Sequence, residues 1–268
     1  MGLEEGIFPS CTVAPRGAEH RAWVSSALAK LDEEERKCPP TPLCELRFSA
    51  RPQLRLVLKD ESASPSGSLK HRLARSLMRR MIVDGRIGEA TRLYDVSSGN
   101  TAISTSHFAR LLGLSYTAVV PFGTTSGKLD AIRVAGGEVL EVDADETRKA
   151  ALDLAARHEG CFLDQFTNAE RAYLAPDAGS LAPELFGQLA QIGLDRPDWI
   201  VVGAGTGGTS TSIGRHLLAH AGAFPDTGLC VADPENSAFF EAYGTERGQR
   251  PPSRQDVYSV CFRAPPTL

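Results

Sequence analysis

Apolar and polar positions along most of the chain alternate in blocks that predict strands and helices in turn. The segments TRLYDV, LSYTAVVPF, EVLEVDAD, DWIVVGAG and TGLCVADP are short apolar runs that end in polar or glycine residues, as buried strands do. Between them lie helical patterns such as TAISTSHFARLLG, SGKLDAIRVAGG and ETRKAALDLAARHEG. Strands that alternate with helices are typical of a parallel sheet covered by helices, so the pattern predicts the α/β class.

The two ends of the chain show other patterns. Residues 19–37 have helical periodicity, and the proline-rich segment that follows ends this predicted helix. Residues 54–62 are predicted to form a strand and residues 68–85 a helix. From about Gln249 the alternation stops, and we expect an irregular tail there.

Composition excludes several classes of protein. The 268 residues suffice for one large or two medium domains, and the net charge of -4 without any long basic run argues against a nucleic-acid partner. The N-terminus MGLEEGIFPS lacks the pattern of a secretory signal, and no apolar segment reaches membrane-spanning length. The six cysteines form no CxxC pair, so we expect reduced thiols, no metal site and a cytoplasmic location.

Two polar turns stand where a predicted strand meets a helix. GAGTGGT, residues 203–209, groups glycines at a helix start, where backbone N–H groups and the helix dipole favour a phosphate. Gly203, Gly205 and Gly208 also satisfy GxGxxG, and Asp233 ends a later strand, so a dinucleotide is a second possibility. SSGNT, residues 97–101, offers donors suited to a carboxylate, although simple N-capping would explain the same residues.

These motifs occur in the order PSGSLK (65–70), SSGNT (97–101) and GTGGT (205–209), with DQFTN at 164–168. This order resembles the cysteine synthase and cystathionine β-synthase family of pyridoxal-phosphate (PLP) enzymes of fold type II, over roughly residues 35–245. SGKLDAIRVAGGEVLEV resembles a further family segment, and SGSLKHRLARS is closest to a cysteine desulfhydrase-like branch.

The resemblance implies two parallel-sheet α/β domains of the tryptophan synthase β-like kind, with PLP in the cleft between them. It implies a segment 1–62 that packs on the larger domain, a small mobile domain 63–163, a larger phosphate-binding domain 164–250 and a divergent tail 251–268. The family is usually dimeric, so a homodimer is expected.

The resemblance also implies roles for individual residues. Lys70 matches the lysine that holds PLP as a Schiff base, and Asn100 matches the residue that bonds the 3′ oxygen of the cofactor. The phosphate cradle is matched by Gly205, Thr206, Gly207, Gly208 and Thr209. The receptor for the substrate carboxylate is matched by Ser97, Ser98, Thr101 and Gln165.

The implied activity is β-elimination on L-cysteine, which gives sulfide, pyruvate and ammonia. Two alternatives stay open: β-replacement, which makes cysteine from O-acetylserine and sulfide, and a truncated, non-catalytic family member. The second is suggested by the lack of any segment after Tyr243 that matches the family's contact to the pyridine nitrogen. His71 stands where many family members carry an acidic residue, and we expect it on the surface.

Overall fold

The computed structural model divides the chain into two compact units. It describes residues 17–165, 167–168, 181–203 and 205–233, and the backbone of a further strand at 258–263. The described residues up to 168 belong to the first unit, and those from 181 onward belong to the second.

The first unit is an α/β layer built around a parallel sheet. Its sheet has the strand order β5-β4-β3-β6, and a separate antiparallel hairpin is formed by β1 and β2. In chain order the elements are α1 (Ala18–Lys37), β1 (Leu43–Phe48), β2 (Arg51–Lys59), a 3-10 helix (Glu61–Ala63), α2 (Lys70–Val83), β3 (Leu93–Val96), α3 (Asn100–Leu112), β4 (Tyr116–Pro121), α4 (Ser126–Val134), β5 (Glu138–Val142), α5 (Thr147–Arg157) and β6 (Cys161–Phe162).

The core of this unit follows from the apolar stripes of its helices. Helix α5 packs on the sheet through a cluster formed by Tyr94, Val119, Ala151, Ala155 and Phe162. Helix α2 is buried over most of its length and packs against α1 and α3. Strand β3 is followed directly by the SSGNT turn, which leads into α3.

The second unit repeats the strand-helix-strand pattern. Strands β7 and β8 are parallel, and β9 pairs with β8 in the antiparallel direction. The elements are α6 (Leu181–Gln191), β7 (Trp199–Gly203), α7 (Gly208–Ala219), β8 (Gly228–Asp233) and β9 (Tyr258–Arg263). The predicted α/β class with parallel sheets is confirmed in both units.

Two strands differ from the sequence prediction. The segment after the first helix, expected only to end it, forms β1, which pairs with β2 from Leu43↔Lys59 onward. In the tail expected to be irregular, Tyr258–Arg263 forms β9 along the edge of β8. Strands β1 and β9 form because their backbones pair with a neighbouring strand, and the local hydrophobic pattern does not indicate such pairing. The rest of the predicted tail, 251–257 and 264–268, lies outside the described residues.

Other expectations have mixed outcomes. His71, expected on the surface, is only 2% exposed, because α2 is enclosed by α1 and α3. Cys38 and Cys44 are reduced as expected, whereas Cys161 is disulfide-bonded. The hairpin and α1 cluster with the first unit, while the resemblance assigns residues 1–62 to the larger domain. The predicted domain limits stay a prediction.

Among the described residues, no helix is both long and apolar enough to cross a membrane.

Candidate active site

The turn before Lys70 is built by its own serines. Ser64 Oγ accepts the backbone N–H of Ser68 at 3.0 Å, and Ser68 Oγ accepts the backbone N–H of Lys70 at 3.2 Å. Gly67 lies at φ +77°, a conformation that residues with a Cβ rarely adopt. Ser64, Gly67 and Ser68 therefore form a defined turn, which places Lys70 at the first position of α2.

The environment of Lys70 favours an uncharged amine. Its side chain is half-buried, and burial lowers the pKa of the amine from its usual range. The backbone N–H of Lys70 is held by Ser68 Oγ, and its amine belongs to the first turn of α2, where the positive potential of the helix start disfavours a charged amine. A lysine held in this way is suited to attack a carbonyl carbon or to accept a proton.

The lysine turn is tied to the helix that follows SSGNT. Ser66 Oγ and Ser104 Oγ lie 2.8 Å apart, and Ser104 is fully buried in α3. The structure therefore places the Lys70 turn and the SSGNT turn at the starts of two packed helices in the same unit.

The SSGNT turn leaves the start of α3 without a side-chain cap. Gly99 is the N-cap residue, and its backbone N–H donates to Ser97 Oγ at 3.4 Å, but no described side chain hydrogen-bonds to the first turn of the helix. Asn100 is exposed and Thr101 is buried, while Ser97 and Ser98 are half-buried. Simple N-capping therefore does not account for these residues, and the backbone N–H groups of α3 are available to an anion such as a carboxylate.

Gln165 is brought to the same end of β3. Its Nε2 donates to the carbonyl oxygen of Val96 at 3.2 Å, and the residue is only 4% exposed. The preceding Asp164 has φ +43° and accepts two hydrogen bonds from Arg148, at 3.2 and 2.9 Å. Asn168 Nδ2 donates to the carbonyl oxygen of Leu163 at 2.7 Å. These bonds hold the DQFTN segment beside the SSGNT turn.

Asp95 is a residue of this site that the sequence analysis missed. It immediately precedes Val96 in β3 and is 1% exposed, and its carboxyl oxygens make no hydrogen bond of normal geometry within the described residues, although two backbone N–H groups lie near them. Burial raises the pKa of Asp95 to about 7, although the backbone N–H groups of Val96 and Gln165 oppose this shift. The available signal was an acidic residue inside the otherwise apolar strand LYDV.

The raised pKa of Asp95 has a consequence for anion binding. A buried carboxylate behind SSGNT would oppose the positive potential at the start of α3, and the protonated acid, which predominates below about pH 7, does not. Tyr116, on the neighbouring strand β4, also has a hydroxyl without a partner in the described part of the chain. Burial, followed by the nearby Asp95, raises its pKa well above the usual range.

The glycine loop lies in the second unit, between β7 and α7. Gly207 is the N-cap of α7 at φ +77°, and no side chain in the described part of the chain caps this helix. A Cβ added at Gly203 or Gly205 would meet nothing within 4 Å, so the space in front of the loop is open. Thr206 is half-buried, and Gly208 and Thr209 are buried in the loop and first turn.

This loop fits a phosphate. Uncapped N–H groups at a helix start, next to glycines that leave room for close approach, are the features that bind phosphates in proteins. The open space at Gly205 is the volume that a side chain would otherwise fill. Asp233 ends β8, which pairs with β7, so this unit taken alone also satisfies the dinucleotide alternative. That alternative gives no role to the turns around Lys70 and Ser97.

Comparison with known proteins decides between these alternatives. Residues 35–260 match the model of the family "Pyridoxal-phosphate dependent enzyme". The chain is 41% identical over 232 residues to L-cysteine desulfhydrase Cds1 of Mycobacterium tuberculosis, covering 85% of this chain and 62% of that protein. It is 32% identical over 155 residues to cysteine synthase B of Pseudomonas syringae pv. syringae, covering 55% of this chain and 89% of that protein.

Solved structures show the same fold. The crystal structure of O-ureido-L-serine synthase matches with a TM-score of 0.67 at 25% identity, over 85% of this chain and 69% of that one. A hydrogen sulfide-producing enzyme from Fusobacterium nucleatum matches with a TM-score of 0.68 at 24% identity, over 81% and 65%. The chain spans 62% of the cysteine desulfhydrase and 52% of a putative pyridoxal-phosphate dependent protein of Caenorhabditis elegans.

The family model covers most of the chain, and it includes the lysine turn, the SSGNT turn and the glycine loop. The chain therefore belongs to the family of pyridoxal-phosphate dependent enzymes.

Proposed function

We propose that the protein binds PLP and catalyses β-elimination on L-cysteine, releasing sulfide and giving pyruvate and ammonia. The observation that carries the proposal is the half-buried Lys70, whose amine has a lowered pKa at the first position of α2. The similarity to an L-cysteine desulfhydrase over 85% of the chain supports L-cysteine as the substrate.

Lys70 has two roles in this proposal. Its Nζ would hold the cofactor, which when bound supplies an electron sink for the carbanion formed at Cα of the substrate. When it is not bonded to the cofactor, the Lys70 amine would be placed to accept the Cα proton of the substrate as general base. Burial supports both roles, because it favours the uncharged form of the amine.

The remaining residues bind and orient. Ser97, Ser98 and Thr101, with the backbone N–H groups at the start of α3, would receive the substrate carboxylate, and Gln165 would border it. Asn100, exposed at the first position of α3, would donate to the 3′ oxygen of the cofactor. The phosphate would lie on the N–H groups of the loop 205–209.

A matched pair of lysine variants tests the cofactor role. Lys70→Ala is expected to abolish the visible absorption of bound PLP and the release of sulfide from L-cysteine. Lys128, an exposed lysine in the first turn of α4, is the control, and Lys128→Ala is expected to change neither. A purified protein that gains no visible band with PLP, or a Lys70→Ala variant that keeps the band, would refute the proposal and favour a non-catalytic family member.

The reaction type is tested by product balance. Elimination predicts equal amounts of sulfide and pyruvate from L-cysteine, with one water consumed and one ammonia released. The similarity to cysteine synthase B supports the alternative, β-replacement on O-acetylserine by sulfide. If cysteine formation from O-acetylserine and sulfide is much faster than sulfide release, replacement is the reaction and the elimination proposal is wrong.

The proposal extends to a cytoplasmic homodimer with a mobile smaller domain. Family membership supports the dimer, and light scattering of the purified protein tests it. A mass of one chain at concentrations where activity is measured would contradict it.

A further inference from the structure

We propose that Glu34, Cys38 and His71 form a site for a divalent zinc-type cation where the end of α1 meets the start of α2. One ligand atom from each of these residues lies within 4.8 Å of the other two. This inference is independent of the proposed reaction. It differs from the sequence-based expectation of no metal site, which considered only the spacing of cysteines.

The three donor atoms already form a compact triangle. Glu34 Oε1 lies 2.7 Å from His71 Nε2 and 3.0 Å from Cys38 Sγ, and the sulfur and nitrogen are 3.9 Å apart. Tetrahedral zinc, with bonds of about 2.0 Å to N or O and 2.3 Å to S, separates its ligand atoms by about 3.3 to 3.6 Å. The cation therefore requires shifts of about half an ångström.

Both the histidine and the carboxylate have supporting partners. His71 Nδ1 lies 3.0 Å from Ser66 Oγ, which in turn lies 2.8 Å from Ser104 Oγ. Arg75 Nη1 donates to Glu34 Oε2 at 3.2 Å, which leaves Oε1 for the cation. Metal-binding histidines and carboxylates are oriented in this way by outer hydrogen bonds.

The charges and protons of the site balance. Glu34 is held as a carboxylate by Cys38 Sγ and Arg75 Nη1, which donate to its two oxygens, and by His71 Nε2 at 2.7 Å. On binding, the cation replaces the two protons that Cys38 Sγ and His71 Nε2 direct at Glu34 Oε1. The thiol proton leaves to solvent, and His71 then carries its ring proton on Nδ1, toward Ser66 Oγ. A carboxylate and a thiolate then neutralise the two positive charges of the cation, so the neighbouring Arg75 is tolerated.

A fourth position is open beside the triangle. Glu34 and Cys38 line a cavity of about 320 Å³ together with His107, whose Nε2 is buried without a hydrogen-bond partner among the described residues. The rings of His71 and His107 are 5.3 Å apart between centroids. A water on the cation would occupy this cavity, which is the arrangement of three protein ligands and one exchangeable position.

The experiment uses the full-length, PLP-loaded protein, treated with a chelator and then dialysed against Zn²⁺. We expect one tightly bound zinc per chain, and an X-ray absorption spectrum with one sulfur neighbour at about 2.3 Å. Cys38→Ser and Glu34→Gln should each weaken zinc binding at least about tenfold. Cys44→Ser, which removes an exposed thiol in β1, is the matched control and should bind zinc like the parent.

Three results would overturn the site: no zinc retained by the parent protein, equal affinity in Cys38→Ser, or a zinc spectrum without sulfur. The spectrum of the parent protein decides the matter even if a variant fails to fold. Cys38→Ser should lose zinc but keep the visible band of PLP. Loss of zinc while PLP stays bound would show that the zinc was not held by the cofactor itself.

Discussion

The buried carboxyl of Asp95 makes a quantitative prediction about stability and pH. Burial raises its pKa in the folded protein from 3.8 to about 7. Between these values the folded state binds a proton that the unfolded state has released, so stability must fall as pH rises toward and through 7. Each pKa unit corresponds to about 1.4 kcal/mol, and the part of the shift that titrates between about pH 5 and pH 8 amounts to about 2 to 3 kcal/mol.

Asp95→Asn removes this titration with little change of shape. The asparagine cannot ionise, so the free energy of unfolding of the variant, minus that of the parent, should increase by about 2 to 3 kcal/mol from about pH 5 to pH 8. Comparing the two proteins at each pH cancels the contribution of the histidines to the free energy of unfolding, which both proteins share. It also cancels any constant cost of burying the new amide. The absolute stability of the variant at one pH is therefore not the quantity to judge.

The assay is urea unfolding followed by circular dichroism at closely spaced pH values, with PLP at the same saturating concentration throughout. Asp153→Asn, at an exposed position of α5, is the control, and its difference from the parent should be independent of pH. If the difference for Asp95→Asn does not change across this range, Asp95 is not protonated in the folded state. The explanation of why α3 keeps its positive potential toward an anion would then be wrong.

Three further substitutions test other parts of the structure. Glu61→Gln should destabilise the protein by about 3 kcal/mol in urea unfolding, because it breaks a two-bond ion pair with Arg72, which is only 6% exposed. Gly205→Ala should weaken PLP binding about tenfold in a spectroscopic titration without loss of stability, because its Cβ would enter the open cradle. Gly160→Ala should lower stability by about 1 to 3 kcal/mol in thermal unfolding, since its Cβ would lie 2.6 Å from a backbone carbonyl oxygen.

Each substitution has a matched control and a contrary outcome. Asp84→Asn breaks an exposed ion pair at the end of α2 and should cost about 0.5 kcal/mol or less. If Glu61→Gln costs no more than this, burial does not strengthen the ion pair between Glu61 and Arg72. Gly222→Ala, also with open space around its Cβ, should leave PLP affinity unchanged. Gly127→Ala, exposed in α4, should be neutral or stabilising, and a neutral Gly160→Ala would show that the backbone yields there.

The α/β class and the positions of most elements could be predicted from the sequence. Helical periodicity over 19–37 and 68–85 corresponds to Ala18–Lys37 and Lys70–Val83 in the structure. These patterns are local, since the residues that define the period are those that form the helix. The lysine turn could also be predicted from the sequence, because the serines that make its hydrogen bonds and its glycine lie within six residues.

Some features of the candidate site could not be predicted in this way. SSGNT was also compatible with simple N-capping, and only the structure shows that none of the described side chains hydrogen-bonds to the first turn of α3. The perturbed acid Asp95 follows from the enclosure of β3 between β4 and β6, which are formed by distant parts of the chain. The roles assigned to Lys70, Asn100 and the glycine loop remain proposals that rest on the family and on the local geometry.

By itself the sequence determined the alternation of elements and the motifs that mark the family, because both are written in contiguous residues. Tertiary structure alone decided which polar side chains are buried and what they meet. His71 lies on the predicted helix, yet its burial and its contact with Glu34, 37 positions earlier, arise because α1 packs on α2. The pKa of a side chain and the ligands available to a cation depend on such distant neighbours, since desolvation and coordination are set by atoms within a few ångströms in space.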